Sequence, residues 1–106
     1  METALKAIAE PRRRQILTLV RDGELSAGDI ASHFDITRPA ISQHLTVLKE
    51  AGLVTERRDG TRRLYEARPE GLEELRTFLE GFWDQRLDAL RRAAERKERV
   101  KRGRND

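Results

Sequence analysis

The chain has 106 residues, of which 39% are charged and 5% aromatic, and its formal net charge is +3. This length gives room for one small domain, whose core must rest on leucine, isoleucine, valine and a few large rings. The sequence has no cysteine, which excludes disulfides, thiolate metal sites and cysteine nucleophiles. No apolar run approaches membrane length and no signal-peptide pattern is present, so we expect a cytoplasmic protein without membrane contact.

The positive charge is concentrated in two regions. Residues 91–106 hold eight basic and three acidic residues, which leaves 14 basic and 16 acidic residues in the first 90. Between residues 37 and 63 the count is six basic to three acidic. Because nucleic-acid-binding proteins gather their basic residues on one surface, this distribution favours a polyanionic partner over a generally cationic protein.

Two helices are predicted at the start of the chain. Thr3 is placed to cap a short first helix, and Pro11 suits the first turn of a second, which stops at Asp22-Gly23. Three arginines at 12–14 lie on the early turns of the second helix. Phosphate contact and simple solvation are both open for them.

A helix-turn-helix is predicted next. The segment Ser26-Ala-Gly-Asp29 is similar to a capping box and starts a short helix. After a turn at 33–36, Thr37 caps a second helix that has Pro39 in its first turn and ends at Gly52. The apolar residues of this helix recur at spacings of four and three and form one buried stripe: Ile41, Leu45 and Leu48.

The opposite face of this second helix, the reading helix, is small and polar. It carries Arg38, Ser42, Gln43 and Thr46. In a DNA major groove, Arg pairs with guanine, Gln with adenine, and Ser with either base. An ordinary amphipathic surface helix is the alternative. For His44, at the edge of this face, packing or a phosphate contact comes before base reading, and Lys49 is a further candidate for phosphate contact.

After Gly52 the spacing of the apolar residues changes from helical to alternating. This predicts a hairpin of residues 54–58 and 62–67, called the wing below. Asp59-Gly60 is a strong signal for a two-residue type I′ turn. With that turn, Val54 faces Tyr65 on the inner side. Four arginines crowd the tip, and like charges facing each other destabilise a hairpin unless a polyanion neutralises them. A solvated polar hairpin is the alternative. The four are Arg57, Arg58, Arg62 and Arg63.

Pro69 opens a long predicted final helix with a large, partly aromatic stripe. Part of the stripe must cover the core, and we expect the rest to form a two-fold dimer interface with the first helix. The alternative is that Phe82 and Trp83 fold back onto the core. The predicted interface comprises Leu5, Ile8, Leu79, Phe82, Trp83, Leu87 and Leu90. Residues 1–94 would form the domain with its dimerisation helices, and residues 95–106 a basic, disordered tail.

Four segments of this sequence resemble the ArsR family of bacterial repressors, and most closely its metal-independent autorepressor subclass. They are residues 9–17 (AEPRRRQIL), 23–31 (GELSAGDIA), 39–45 (PAISQHL) and 48–54 (LKEAGLV). The resemblance implies a homodimer on an imperfect palindrome. It implies base contacts by Arg38, Ser42 and Gln43, with Thr37 at the helix start. From their place beside this face, we expect flanking contacts by His44, Thr46 and Lys49. The resemblance places the wing arginines on the DNA backbone or in the minor groove.

The metal-sensing branches of this family are a poorer match. Where they carry cysteines, this sequence has Ser26 and Gly28, and the last helix has Asp84 and Asp88 but no histidine. We therefore expect no metal and no cofactor.

Together these patterns predict a mostly α-helical fold with a small β-hairpin. The expected fold is a winged helix-turn-helix of four helices, a hairpin and a fifth helix. The expected function is sequence-specific regulation of transcription by a homodimeric repressor on double-stranded DNA. The alternatives are a ligand- or protein-responsive regulator with a pocket near Trp83, and a winged helix used only for protein contacts. An enzyme is not expected, because no catalytic constellation or phosphate loop stands out.

Overall fold

The structure is a computed structural model that describes residues 1–83 and 85–104. The chain forms two compact units, Met1–Leu75 and the residues from Arg76 onward. Its helices are α1 (Glu2–Ile8), α2 (Pro11–Val20), α3 (Ala27–Ala31), α4 (Arg38–Glu50), α5 (Pro69–Glu80) and α6 (Gln85–Arg104). Its strands are β1 (Leu25–Ser26), β2 (Val54–Asp59) and β3 (Arg62–Ala67).

The core of the first unit is built from one face of each of its helices. The predicted stripe of α4 is confirmed, because its three apolar residues are fully buried. They pack in one cluster with Ile16 and Val20 of α2 and with Ile30 of α3. Burying these branched aliphatic side chains fixes α4 against the domain and leaves its opposite face outside.

The helix starts follow the predicted capping residues. The Ser26 hydroxyl accepts a hydrogen bond from the Asp29 amide at 3.1 Å, and the Thr37 hydroxyl accepts one from the Ala40 amide at 3.3 Å. Gly52, with φ of +76°, follows the C-terminal turn of α4 in the left-handed conformation that favours glycine. Thr3 was expected to cap the first helix, but α1 begins at Glu2 without a side-chain cap.

The sheet has three antiparallel strands in the order β1–β3–β2. The short edge strand β1 was not predicted. The predicted hairpin register was wrong by two residues: Asp59 pairs with Arg62, so the turn is Gly60-Thr61. Gly60 has φ of +64°, which suits the first central position of a type II′ turn. A shift of two preserves the alternation of faces, so Val54 and Tyr65 still lie on one side and both are buried.

The end of the chain also differs from the prediction, because two helices replace the single long one. The segment between them includes Gly81. Of all residues except proline, glycine has the lowest propensity for a helix interior. The amides of Gly81, Phe82 and Trp83 bond to carbonyls three residues back, at 3.2, 3.1 and 2.9 Å. Residues 95–104 are helical in α6, where a disordered tail was expected. The Arg, Glu and Lys residues there are strong helix formers.

No helix in the described part of the chain is both long and apolar enough to cross a lipid bilayer.

Candidate nucleic-acid interface

The outward face of α4 is polar and exposed to solvent. Arg38, Ser42 and Gln43 are exposed, as are Thr46 and Lys49. The Thr46 hydroxyl donates to the Ser42 carbonyl at 3.0 Å, so its proton is used within the helix and its oxygen and methyl group remain for other contacts. This face has the size and chemistry to contact base edges in a major groove.

His44 is half-buried at the edge of this face and has a defined partner. The Arg13 guanidinium lies 3.3 Å from its Nδ1. A guanidinium can only donate, so in this hydrogen bond Nδ1 is the acceptor. The same guanidinium donates to the Ala7 carbonyl at 2.6 Å and the Lys6 carbonyl at 3.2 Å. Arg13 thus joins the end of α1 to α4.

Two of the three arginines on α2 bind α1 carbonyls. Besides Arg13, Arg14 donates to the Ile8 carbonyl at 2.7 Å. The last carbonyls of a helix have no partner within it, so cationic donors satisfy them well. From the sequence, phosphate contact and solvation are both open for these arginines, and no local sequence pattern signals their capping of α1.

The four wing arginines differ in their contacts. Arg57 forms a bidentate ion pair with Glu24, with N–O distances of 2.8 and 2.9 Å. Arg62 and Arg63 make longer contacts, to Asp29 at 3.7 Å and to Glu56 at 4.0 Å. Arg58 has no ion-pair partner among the residues that the structure describes. It is therefore the wing cation most available to an external anion.

Glu56 connects the wing to α4. Its carboxylate accepts a hydrogen bond from the Tyr65 hydroxyl at 3.0 Å and lies 3.4 Å from the Lys49 ammonium. Burial alone would raise the pKa of Glu56, but the Tyr65 hydrogen bond and the charge of Lys49 outweigh it, and the pKa is lowered. Burial and the neighbouring carboxylate raise the pKa of the Tyr65 hydroxyl.

A groove of about 440 Å³ lies between α4 and the wing. Arg38, Ser42 and Thr46 line one side, and Arg62 and Arg63 line the other. The groove therefore brings five of the predicted DNA-contacting residues together. Apart from Ala27 and Gly28, its lining residues are basic or hydroxyl-bearing, which suits a sugar–phosphate strand.

The residues predicted to form a dimer interface fall into two groups. In the second unit, Phe82 and Trp83 are 58% and 59% exposed, and their exposed neighbours include Phe78, which was not predicted. The Phe78 and Phe82 rings meet edge to face at 5.4 Å. The rest of the second-unit set is also exposed: Leu79, Leu87 and Leu90. In the first unit, Leu5 and Ile8 are partly buried against the core.

Asp88 of α6 lies 3.9 Å from Arg91, and Asp84 falls outside the described residues. Across the described chain, no group of three or more histidines and carboxylates is placed to hold a metal ion.

These elements define a class of protein. A helix-turn-helix whose second helix presents an exposed polar face, followed by a basic hairpin beside that face, is a winged helix-turn-helix, a DNA-binding fold.

Comparison with known proteins agrees with this class. Residues 10–56 match the model of the bacterial regulatory proteins of the arsR family. The HTH-type transcriptional regulator Rv2034 of Mycobacterium tuberculosis is 45% identical over 86 residues, which is 81% of this chain and 80% of that protein. The transcriptional repressor SdpR of Bacillus subtilis is 48% identical over 60 residues, 57% of this chain and 67% of the repressor.

Solved structures show the same similarity. The crystal structure of a possible transcriptional regulator for arsenical resistance is 48% identical, with a TM-score of 0.74 over 82% of this chain and 91% of the other. The homodimeric winged helix-turn-helix domain Mb0332 of Mycobacterium bovis is 34% identical, with a TM-score of 0.64 over 79% of this chain and 78% of that domain. The chain belongs to the arsR family and is a transcriptional regulator, not an enzyme.

Proposed function

We propose that the protein is a homodimeric repressor that binds a palindromic operator and excludes the transcription machinery from it. The observation that carries this proposal is the groove between α4 and the wing, which gathers predicted base-reading and phosphate-binding residues on one exposed surface. A two-fold dimer presents that surface twice, which matches the symmetry of a palindrome. Such a repressor acts on the chromosome, in the cytoplasm.

The proposed division of labour follows from side-chain chemistry. Arg38, Ser42 and Gln43 contact base edges, because they are exposed on α4 and carry the donors and acceptors that base pairs present. Thr37, His44, Thr46 and Lys49 contact flanking backbone. The wing arginines contribute phosphate affinity, which falls with increasing salt.

The homodimer is supported by two observations. The second unit exposes a cluster of large apolar side chains around Phe82 and Trp83, and exposed apolar patches mark association surfaces. The related domain from M. bovis is itself homodimeric. We propose that two copies meet through the second-unit cluster and through Leu5 and Ile8 of α1.

The proposal includes no cysteine-based metal switch, because the sequence contains no cysteine. One relative, from Staphylococcus xylosus and 35% identical over 80 residues, is named as an arsenical resistance operon repressor. Arsenite is therefore the informative probe. We expect it to leave operator binding by this protein unchanged in a mobility-shift assay, and release of the DNA would contradict a regulator without a metalloid switch.

Footprinting on the region upstream of the protein's own gene tests the core of the proposal. The expected result is a protected palindrome with two half-sites about one helical turn apart. Equal affinity for that region and for random duplex would refute sequence-specific regulation there.

A further inference from the structure

The best-formed polar contact of the wing is the ion pair between Arg57 and Glu24. Arg57 Nε lies 2.9 Å from one carboxylate oxygen of Glu24, and Nη2 lies 2.8 Å from the other. Two parallel hydrogen bonds of this kind give the preferred geometry of a guanidinium with an anion. The side chains are 56% and 31% exposed, so a large ligand can reach the pair from solvent.

The other wing arginines are held less closely. Their ion pairs are 3.7 Å and 4.0 Å long at Arg62 and Arg63, and Arg58 has none among the described residues. The hydrogen bonds from Arg57 lower the pKa of Glu24, and the carboxylate raises the pKa of Arg57, so each group stabilises the charge of the other. Among the wing arginines, Arg57 is thus the one whose guanidinium already binds an anion, the Glu24 carboxylate.

A carboxylate and a DNA phosphate offer a guanidinium the same pair of oxygens. We propose that Glu24 competes with DNA for Arg57, holding the place of a backbone phosphate and lowering the affinity of the wing for any duplex. This inference rests on the proposed DNA-binding function. It makes Glu24 a determinant of affinity without itself being a DNA-binding residue.

The exchange is energetically accessible, because an exposed ion pair is weak and DNA offers a dense row of phosphates. After the exchange, the Glu24 carboxylate remains beside those phosphates and repels them. Glu24 therefore opposes binding twice, by occupying Arg57 before the exchange and by like charge after it. Since the contact is with the backbone, operator and random duplex are affected equally.

The test uses the full chain with Glu24→Gln, which removes the charge but keeps the size. We expect tighter binding to both operator and random duplex, with a salt dependence steeper by about 0.9 in log–log slope, the value for one phosphate-bound cation whose charge Glu24 no longer offsets. Between roughly 200 and 50 mM salt, the advantage of the variant over wild type should then grow about 3.5-fold.

Asp22→Asn provides the matched control. Asp22 is two residues away, is 79% exposed and pairs with Arg21, so the variant makes the same change in net charge without touching Arg57. If it tightens binding as much as Glu24→Gln does, the effect is general electrostatics and the inference is overturned. Thermal unfolding of each variant verifies that the fold is retained.

A double-mutant cycle with Arg57 separates the occupation of Arg57 by Glu24 from simple repulsion between the Glu24 charge and DNA. In an Arg57→Met background, which keeps the side-chain stem, Glu24→Gln should keep only the part of its effect on affinity that comes from repulsion between the Glu24 charge and DNA. An undiminished effect there would overturn the inference while leaving the proposed function intact. If wild-type protein bound no duplex at any salt concentration, the proposed function would fail, and the inference with it.

Discussion

Gly71, in the first turn of α5, lies directly against the backbone carbonyl of Gly52. A Cβ added to Gly71 would fall far inside van der Waals contact with that oxygen, and backbone cannot move aside as a side-chain tip can. We expect Gly71→Ala to lower the free energy of unfolding by about 1–3 kcal/mol, as overpacking does. Urea denaturation measures this change.

Gly23 offers the matched control for this substitution. A Cβ there meets no atom within 4 Å, and its φ is not in the left-handed range. Gly23→Ala should leave the protein as stable as wild type or stabilise it by up to about 1 kcal/mol, because alanine restricts the unfolded chain. Equal stability of the two variants would mean that α5 does not pack closely on the end of α4.

Glu56 makes the stability of the wing dependent on pH. Its pKa in the folded protein is lowered, so its contribution is present above its ordinary pKa of 4.5 and is lost as the pH falls through the lower folded value. We expect the stability difference between wild type and Glu56→Gln to shrink on the acid side of pH 4.5. Urea denaturation over that range measures it.

Tyr65→Phe isolates one cause of that pH dependence. The substitution removes the hydroxyl that donates to Glu56 at 3.0 Å but keeps the buried ring. The substitution should raise the pKa of Glu56 toward its ordinary value of 4.5, so that the loss of stability begins at a higher pH. An unchanged pH profile would show that the Tyr65 hydroxyl does not support the Glu56 carboxylate.

At the scale of elements, α4 and the wing should have separable effects on DNA binding. Gln43→Ala removes a proposed base contact and should reduce the preference for operator over random duplex by about 1–3 kcal/mol. Arg58→Ala removes a proposed phosphate contact and should weaken binding to both duplexes, with a log–log salt slope shallower by about 0.9. Fluorescence anisotropy at several salt concentrations measures both quantities.

The two variants control each other, since both replace exposed side chains outside the core. If Gln43→Ala weakened all binding equally and Arg58→Ala changed sequence preference, the roles given to helix and wing would be exchanged.

Elements governed by local patterns were predictable from the sequence. The buried stripe of α4 follows from helical periodicity, and the Ser26 and Thr37 caps from residue type and position. The hairpin was predictable to within a two-residue shift of register, because Asp59-Gly60 and Gly60-Thr61 both satisfy a two-residue turn and both leave Tyr65 facing inward. The break after α5 was missed, because periodicity alone does not show where glycine interrupts a helix.

Most of the candidate site's contacts lie beyond such patterns. Arg57 and Glu24 are 33 residues apart in sequence, and Arg13 and His44 are 31 apart. Such pairs form only because the sheet and the helix packing bring their elements together. The exposed face of α4 was therefore predictable from the sequence, whereas the partner that each surrounding arginine binds was not.

At the scale of the whole molecule, the proposed affinity depends on two copies acting together. A single reading helix contacts few base pairs, and joining two raises affinity for a full site by about 10²–10⁴ through effective concentration. The apolar cluster of the second unit would then contribute to operator binding without contacting DNA.

Trp83→Glu tests this dependence. Placing a carboxylate within the exposed apolar cluster should prevent its burial against a second copy, giving a monomer in analytical ultracentrifugation. Affinity for a full palindrome should fall by about 10²–10⁴, while affinity for an isolated half-site stays the same. Thr77→Glu, an equal charge change at another exposed position of the second unit, should leave both affinities near wild type. A dimeric Trp83→Glu protein, or equal losses on half-site and palindrome, would show that the cluster is not the surface that pairs the reading helices.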